Sequence, residues 1–254
     1  MEIHYKIKNL YKNNNVNKIK KNVKILKVVN LLYESLICVF LSIFGVISTR
    51  FKFLGLGIYI LVAIISSILV LTRYFLSSEE GKIRLLALPS TFILLCISFL
   101  LSPKSFLISF AALYFSSLEI FSPFELGRKI PFLTKPVIFV IFYFLGFYSV
   151  ANPFSFATYD ALYYALLISI FGFFLVLSQK HFIFAFPAVL IFPIFHSSLP
   201  CFVLSLFAAF TLFKMRHTYK NHYSFIFFLF IAIFVLVYFY DSKNMLPAGA
   251  REIF

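Results

Sequence analysis

Charged residues are scarce in this chain. Asp, Glu, Lys and Arg make up 13% of its 254 residues, while hydrophobic residues make up 62%. Soluble domains carry roughly 25% charged residues, so the composition excludes an ordinary soluble fold. Only nine residues are acidic and the net charge is +14. The cations fall in the polar breaks, where they are better explained as membrane-topology signals or as attraction to lipid headgroups than as a nucleic-acid surface.

Cysteine pairs and nucleotide motifs are also missing. Cys38, Cys96 and Cys201 each lie in an apolar run without a CxxC spacing, so we interpret them as small buried hydrophobes rather than metal ligands or disulfide partners. No GxxxxGK[ST] segment occurs, which argues against a nucleotide site of the chain's own. No cleavable signal peptide is expected, because the first apolar run begins late and lacks a small-residue cleavage site. The sequence therefore predicts no metal and no cofactor.

Long apolar runs are what the chain has in abundance. They predict an all-α, polytopic membrane protein with eight or nine transmembrane helices. The candidate spans are about 31–48, 53–72, 86–102, 106–122, 132–150, 161–178, 183–197, 199–213 and 224–240. Prolines interrupt 183–213, which is either a hairpin of two short spans or one kinked helix.

Charge distribution predicts the domain order and the orientation. Residues 1–27 hold eight lysines and form a basic cytoplasmic segment, residues 28–240 the transmembrane domain, and residues 241–254 a short polar tail. With the N-terminus in the cytoplasm, 18 of the 23 cations fall on the cytoplasmic side. From Lys18 the spacing fits either a basic amphipathic helix on the membrane surface or a solvated charge run.

The most specific stretch is RYFLSSEEGKIRLLALPST, from Arg73 to Thr91. Its charges exclude burial in lipid, so it is predicted as a polar surface at the inner membrane boundary. It resembles the first cytoplasmic loop of type-2 ABC exporter permeases, above all the haem-exporter permease (B subunit) of cytochrome c maturation. The resemblance implies a surface that docks a separate ATPase. Its residues here are Arg73, Phe75, Glu79, Glu80, Gly81, Lys82, Arg84, Leu85, Leu86 and Pro89.

A second stretch, LLISIFGFFLVLSQKHFIFAFPAVLIFPIF, resembles a later segment of the same family. Ser178, Lys180, Pro187 and Pro193 take the matching places. The chain departs from the family in having more spans, with an extra hairpin over about 104–150. The resemblance covers about half of the chain and implies a transport subunit in the plasma membrane, in contact with lipid, an ATPase partner, and a second copy or other membrane subunits.

Enzyme readings remain as alternatives. EEGKIR, FPIFH and HTYKN match the EExxxR, FxxxH and HxxxN motifs of CAAX-type intramembrane proteases, which would use Glu79 or Glu80, His196 and His217 to activate water. A resemblance to membrane prenyltransferases fails for want of Asp-rich motifs. A purely structural subunit of a membrane complex is the third alternative, and Glu119, inside an apolar run, is a candidate intramembrane functional carboxylate.

Overall fold

The computed structural model describes residues 32–49, 56–77, 81–121, 131–150, 159–195, 199–215 and 219–244. These residues form ten α-helices, and none of them lies in a strand, which confirms the predicted all-α class. The helices are α1 (Leu32–Ser48), α2 (Leu56–Ser77), α3 (Gly81–Leu85), α4 (Ala87–Leu101), α5 (Pro103–Phe121), α6 (Pro131–Val150), α7 (Tyr159–Lys180), α8 (Ala185–Phe195), α9 (Leu199–Lys214) and α10 (Tyr219–Asn244). A 3-10 helix, Phe182–Phe184, precedes α8. The predicted amphipathic helix from Lys18 lies outside the described residues.

Three stretches are long and apolar enough to cross a membrane: Gly57–Leu76, Gly81–Leu101 and Tyr159–Ser178. Each has a mean hydropathy of 2.1 or 2.2 over its most apolar window and holds 20 or 21 residues. At 1.5 Å per residue such a helix is about 30 Å long, the thickness of the hydrocarbon layer. Over the residues whose side chains are described, the other apolar helices have only 10–17 residues.

The helices alternate in direction. Helices α4 and α5 form an antiparallel hairpin in which Ser98 and Ser109 share a hydrogen bond of 2.8 Å. Helix α1 runs parallel to α6, because Glu34 pairs with Lys135 at one end and Ser48 bonds Tyr143 nearer the other. Helix α10 also runs parallel to α1. We call the end that holds the first residues of α1 and the last residues of α2 the basic end, and the other the opposite end.

The uncertain region 183–213 folds as two helices. Phe171 and Phe174 of α7 contact Phe192 and Phe184, so α8 runs antiparallel to α7. Helix α9 then returns toward the basic end and packs against both α8 and α10. Of the two alternatives for this region, the structure supports the hairpin. Its helices of 11 and 16 residues are shorter than a full span.

The stretch from Arg73 to Thr91 is not the loop that the polar residues predict. Arg73 to Ser77 complete α2, and residues 81 to 91 are helical apart from a turn at Leu86. Pro89 explains that turn, because it has no N–H and its ring clashes with the carbonyl of Leu85. The helix therefore starts five residues before the predicted span at 86, and only residues 78–80 of this stretch lie outside the described structure.

Helices α1 and α6 cross in very close contact. A Cβ added to Gly146 would clash with the backbone carbonyl of Ser42, and one added to Gly45 would meet the backbone of Tyr143. About two turns earlier in α6, a Cβ on Gly172 of α7 would stand 2.9 Å from the Cα of Pro136. Gly45 and Gly172 both end the tetrapeptide Ser-Ile-Phe-Gly, at 42–45 and 169–172. Small residues of this kind let helix backbones approach within a membrane.

The core around these crossings is aromatic. Phe44 has no exposed surface and packs against Tyr143, Tyr164, Phe234 and Tyr238 with ring centroids 4.9 to 5.6 Å apart. Phe171, in the second copy of the tetrapeptide, packs against Phe139, Phe192, Phe227 and Phe230 with ring centroids 5.7 to 6.4 Å apart, and only the pair with Phe227 is edge-to-face. These two aromatic clusters join α1, α6, α7, α8 and α10. Edge-to-face pairs of this kind are worth about 0.5–1.5 kcal/mol each beyond their burial.

The buried polar side chains of the described residues are all hydroxyls. They are Ser42, Ser48, Ser66, Thr72, Ser98, Ser102, Ser105, Ser109, Ser178 and Ser205. Several bond a carbonyl three or four residues earlier in their own helix; Ser42, for example, donates to the carbonyl of Cys38 at 3.1 Å. A hydroxyl satisfied this way can be buried without a partner helix.

Candidate functional site

The predicted docking stretch lies at the basic end, between α2 and α4. Arg73 and Phe75 are half-buried in the last turns of α2, whereas Gly81, Lys82 and Arg84 are exposed on α3. Pro89 is exposed in the first turn of α4. Glu79 and Glu80 lie outside the described residues. The structure thus places the two cations of α3 on the surface, as the docking prediction requires of a contact residue.

A side-chain hydrogen bond joins the two helices on either side of α3, α2 and α4. Thr72 donates through Oγ1 to the Oγ of Ser90 at 3.0 Å, and Ser90 donates in turn to the carbonyl of Ala87. Ala87 is the first residue of α4 and is buried. The first turn of α4, which directly follows α3, is therefore held against α2. Lys82 and Arg84 of α3 are exposed.

Exposed leucines stand directly beside the cations of α3. Leu85 is 67% exposed and Leu88 is 72% exposed. Farther along α4, Phe92 and Leu100 are exposed as well. Large apolar side chains exposed one after another along a helix are typical of contact with a membrane or another protein.

The second matching segment also reaches the basic end. Lys180 is the last residue of α7, and Pro187 is half-buried early in α8. Ser178 is buried and donates to the carbonyl of Leu175 at 2.6 Å. Pro193 lies in α8 nearer the opposite end; the side chains of Lys180 and Pro193 are outside what the structure describes. The structure thus brings both family-like segments to one end of the bundle without a described contact between them.

The described neighbours of the protease residues are divided between the two ends of the bundle: Gly81 and the residues on either side of His217 stand at the basic end, whereas Phe195 lies nearer the opposite end. Glu79, Glu80, His196 and His217 lie outside the described residues. Gly81 stands at the basic end, while α8 rises from Ala185 to Phe195, about 15 Å at 1.5 Å per residue. The chain immediately before His196 is therefore directed away from the end that holds α3.

Glu119 lies near the end of α5, close to the basic end. Its side chain is outside the described residues, so its role as an intramembrane carboxylate stays a prediction. Among the described residues, no group of three or more His, Cys, Asp or Glu side chains is placed to hold a metal ion.

The sequence did not predict an ion pair that joins α1 to α6. Lys135 Nζ lies 2.8 Å from Glu34 Oε1, and the two side chains are 13% and 16% exposed. They are 101 residues apart in the chain, so only tertiary structure brings them together. The available signal in the sequence was that Glu34 and Lys135 each stand a few residues inside a predicted span. An ionisable residue at such a depth needs a partner.

At the opposite end of the bundle, a group of serines joins α4, α5 and α6. Ser102 donates to the carbonyl of Tyr148 at 3.1 Å and bonds Ser105, which in turn lies 3.3 Å from Ser149. Lys104 stands 4.8 Å above the ring of Tyr148. These hydroxyls bond one another and backbone carbonyls, and no described histidine lies among them to act as a general base. The group therefore holds helices together rather than supplying a nucleophile.

A shallow groove between α9 and α10 has a volume of about 460 Å³. It is lined by Leu199, Val203, Leu204, Phe207, Ile233 and Val237. Small-molecule sites combine an apolar wall with a few converging polar groups, and this lining has none. The groove therefore suits an apolar ligand, such as a lipid acyl chain or an apolar side chain.

Comparison with protein-family models, with curated proteins and with solved structures finds no match to this chain.

Proposed function

We propose that the chain is a polytopic membrane protein with nine passes and acts as the membrane subunit of a transporter powered by a separate ATPase. The N-terminus and the basic end would face the cytoplasm. The sequence holds no nucleotide-binding motif, so the energy would come from the partner. The cargo class that the family resemblance suggests is haem or another small molecule.

The distribution of charge supports the orientation. Of the described residues, seven cations belong to helix segments at the basic end: Arg73, Lys82, Arg84, Lys135, Lys180, Lys214 and Lys220. Two, Lys104 and Lys243, belong to the opposite end. Cytoplasmic segments of membrane proteins carry such an excess of Lys and Arg.

The observation that carries the transport proposal is helix α3. It is a short, exposed and charged helix at the basic end, where it follows α2 and begins the long apolar stretch Gly81–Leu101. A permease needs such a surface to receive motion from an ATPase and to pass it to the spans. The hydrogen bond between Thr72 and Ser90 ties the residues behind α3 to both neighbouring helices, so a force on α3 would reach α2 and α4 together.

Charge reversal at the docking stretch tests this proposal. The protein is purified from its native membranes in mild detergent, and ATP hydrolysis by the purified material is measured. We expect E79K/E80K to lose the co-purifying ATPase activity, because an acidic contact becomes basic. The matched control K104E changes a charge at the opposite end and is expected to keep that activity.

Three results decide the outcome. Activity that is lost only in E79K/E80K supports the docking role. Full activity in that variant contradicts docking through the two glutamates. Wild-type protein without any associated ATPase activity contradicts the transport subunit itself and favours a structural role.

A further inference from the structure

We infer that the basic end binds the phosphate headgroups of anionic phospholipids through its exposed cations, among them Lys82 and Arg84 of α3. Lys214, at the end of α9, is the third cation whose exposed side chain the structure describes at this end. We call these three residues the headgroup surface. The inference rests on the proposed membrane embedding and orientation, and it adds a lipid ligand to them.

The first support is a charge imbalance between the two ends. Among the described residues, the basic end carries two carboxylates, those of Glu34 and Glu119, against its seven cations. Glu34 is already paired with Lys135 in the interior. The opposite end has two carboxylates, Asp160 and Asp241, against two cations. Among the residues that the structure describes, it is therefore the basic end that has the excess positive charge to complement an anionic lipid surface.

The second support is depth. The helical stretch Gly81–Leu101 holds 21 residues and is about 30 Å long, which matches the hydrocarbon layer of a bilayer. If this stretch spans that layer, Lys82 and Arg84 stand at one boundary and Lys104 stands just beyond the other. Headgroup phosphates lie at these boundaries, within reach of a lysine or arginine side chain that extends outward from the helix.

The third support is the apolar surface next to the cations. Leu85 and Leu88, within two turns of Lys82, are 67% and 72% exposed. A soluble polyanion such as RNA would neutralise the cations but leave these leucines in water. A phospholipid covers both, since its phosphate contacts the cations while its acyl chains contact the leucines. Arg84 can also hold a phosphate with two parallel hydrogen bonds.

The neighbouring Glu79 and Glu80 set a limit on the strength of the site. They come directly before Gly81 in the sequence, and negative charge so near in the chain lowers the positive potential that attracts a phosphate to Lys82 and Arg84. Neutralising them in E79Q/E80Q should strengthen binding of an anionic lipid. This response is opposite in direction to the loss expected when the cations themselves are removed.

The experiment measures thermal unfolding of the purified full-length protein in nanodiscs. The discs contain phosphatidylcholine with a rising fraction of phosphatidylglycerol, at low and at high salt. Phosphatidylglycerol should raise the unfolding midpoint at low salt, because a ligand that binds the folded state stabilises it. High salt should remove the increase by screening. Inorganic phosphate added to phosphatidylcholine discs should have no such effect.

Variants locate the effect on the headgroup surface. In K82Q/R84Q/K214Q the apparent affinity for phosphatidylglycerol should fall by roughly fivefold for each cation removed, since a cation near an anionic surface contributes about 1 kcal/mol. The charge-conserving variant K82R/R84K/K214R should behave as the wild type. The matched control K104Q removes a cation at the opposite end and should keep the wild-type response.

An equal response to phosphatidylglycerol in the wild type and in K82Q/R84Q/K214Q overturns the inference, as does the absence of any response in the wild type. A response to RNA or to inorganic phosphate that replaces the lipid effect also overturns it. If alkaline carbonate extracts the protein from membranes, the embedding fails instead. A protein that stays in the membrane without a lipid response leaves the proposed function standing.

Discussion

Single small residues set how closely the central helices approach. Gly45 and Gly146 lie where α1 and α6 cross, and a methyl group at either position would meet backbone atoms rather than a movable side chain. Gly57, by contrast, has nothing within 4 Å of its added Cβ. Glycine is thus required at positions 45 and 146 and not at position 57, and only the packing around each position shows the difference.

Replacing the crossing glycine provides a direct test at this scale. We expect Gly146→Ala to destabilise the folded protein by at least about 1–3 kcal/mol, the usual penalty for overpacking, because α1 must move away from α6. Gly57→Ala should be neutral or slightly stabilising, since alanine favours helix over glycine by about 1 kcal/mol. Thermal unfolding of the two variants in detergent measures the difference. Equal midpoints would show that α1 and α6 do not cross as closely as described.

At the scale of elements, helix α1 contacts both α6 and α10. It contacts α6 through the glycine crossing and through the hydrogen bond of 2.9 Å between Ser48 and Tyr143. It contacts α10 through Tyr33, Phe40 and Phe44. The ion pair of Glu34 and Lys135 fixes its register near the basic end. Losing α1 would therefore remove one of two links between α6 and α10; the other is α7, whose Phe171 contacts Phe139 and Phe230.

The ion pair can be tested by breaking and exchanging it. Lys135→Met should lower the stability by roughly 3 kcal/mol, the low end for buried pairs, because Glu34 keeps its charge but loses this cation. The exchanged variant E34K/K135E should recover much of the loss, since both charges are present again. Lys214→Met, an exposed lysine at the same end, serves as the control and should change little. Unfolding midpoints in neutral detergent decide the matter; no recovery in the exchanged variant would argue against a direct pairing.

The whole molecule is defined by alternation of helix direction. Helix α10 runs parallel to α1, because Tyr33 contacts Phe225 near the basic end and Phe44 contacts Tyr238 farther along. An odd number of antiparallel segments between the start of α1 and the end of α10, with α3 and α4 counted as one segment, satisfies this arrangement. The hairpin of α8 and α9 makes the number odd, whereas one kinked helix would make it even.

Topology reporters test this prediction for the intact protein. We expect the residue before α1 and the residue after α10 to lie on opposite sides of the membrane. A reporter that is active only outside the cytoplasm should function when fused after α10, and a reporter that is active only inside should function at the N-terminus. Both termini on the same side would contradict nine passes and restore eight.

The sequence determined the helical class, the approximate bounds of most helices and the asymmetry of charge. These depend on local hydrophobicity and on which residues tolerate lipid, and such information is carried by each segment on its own. The predicted spans 132–150 and 199–213, for instance, fall within one residue of α6 and α9. The polar stretch at 73–91 misled, since charge indicates exposure but does not prevent a helix.

Only the tertiary structure decided which segments meet. Nothing in the runs around Glu34 and Lys135 specifies that they pair across 101 residues. Likewise, no local pattern shows that Gly45 and Gly172 pack on different parts of α6. In a chain whose apolar surfaces are chemically alike, partner choice depends on the fit of small residues, hydroxyls and rings between helices. That fit exists only once the helices are assembled.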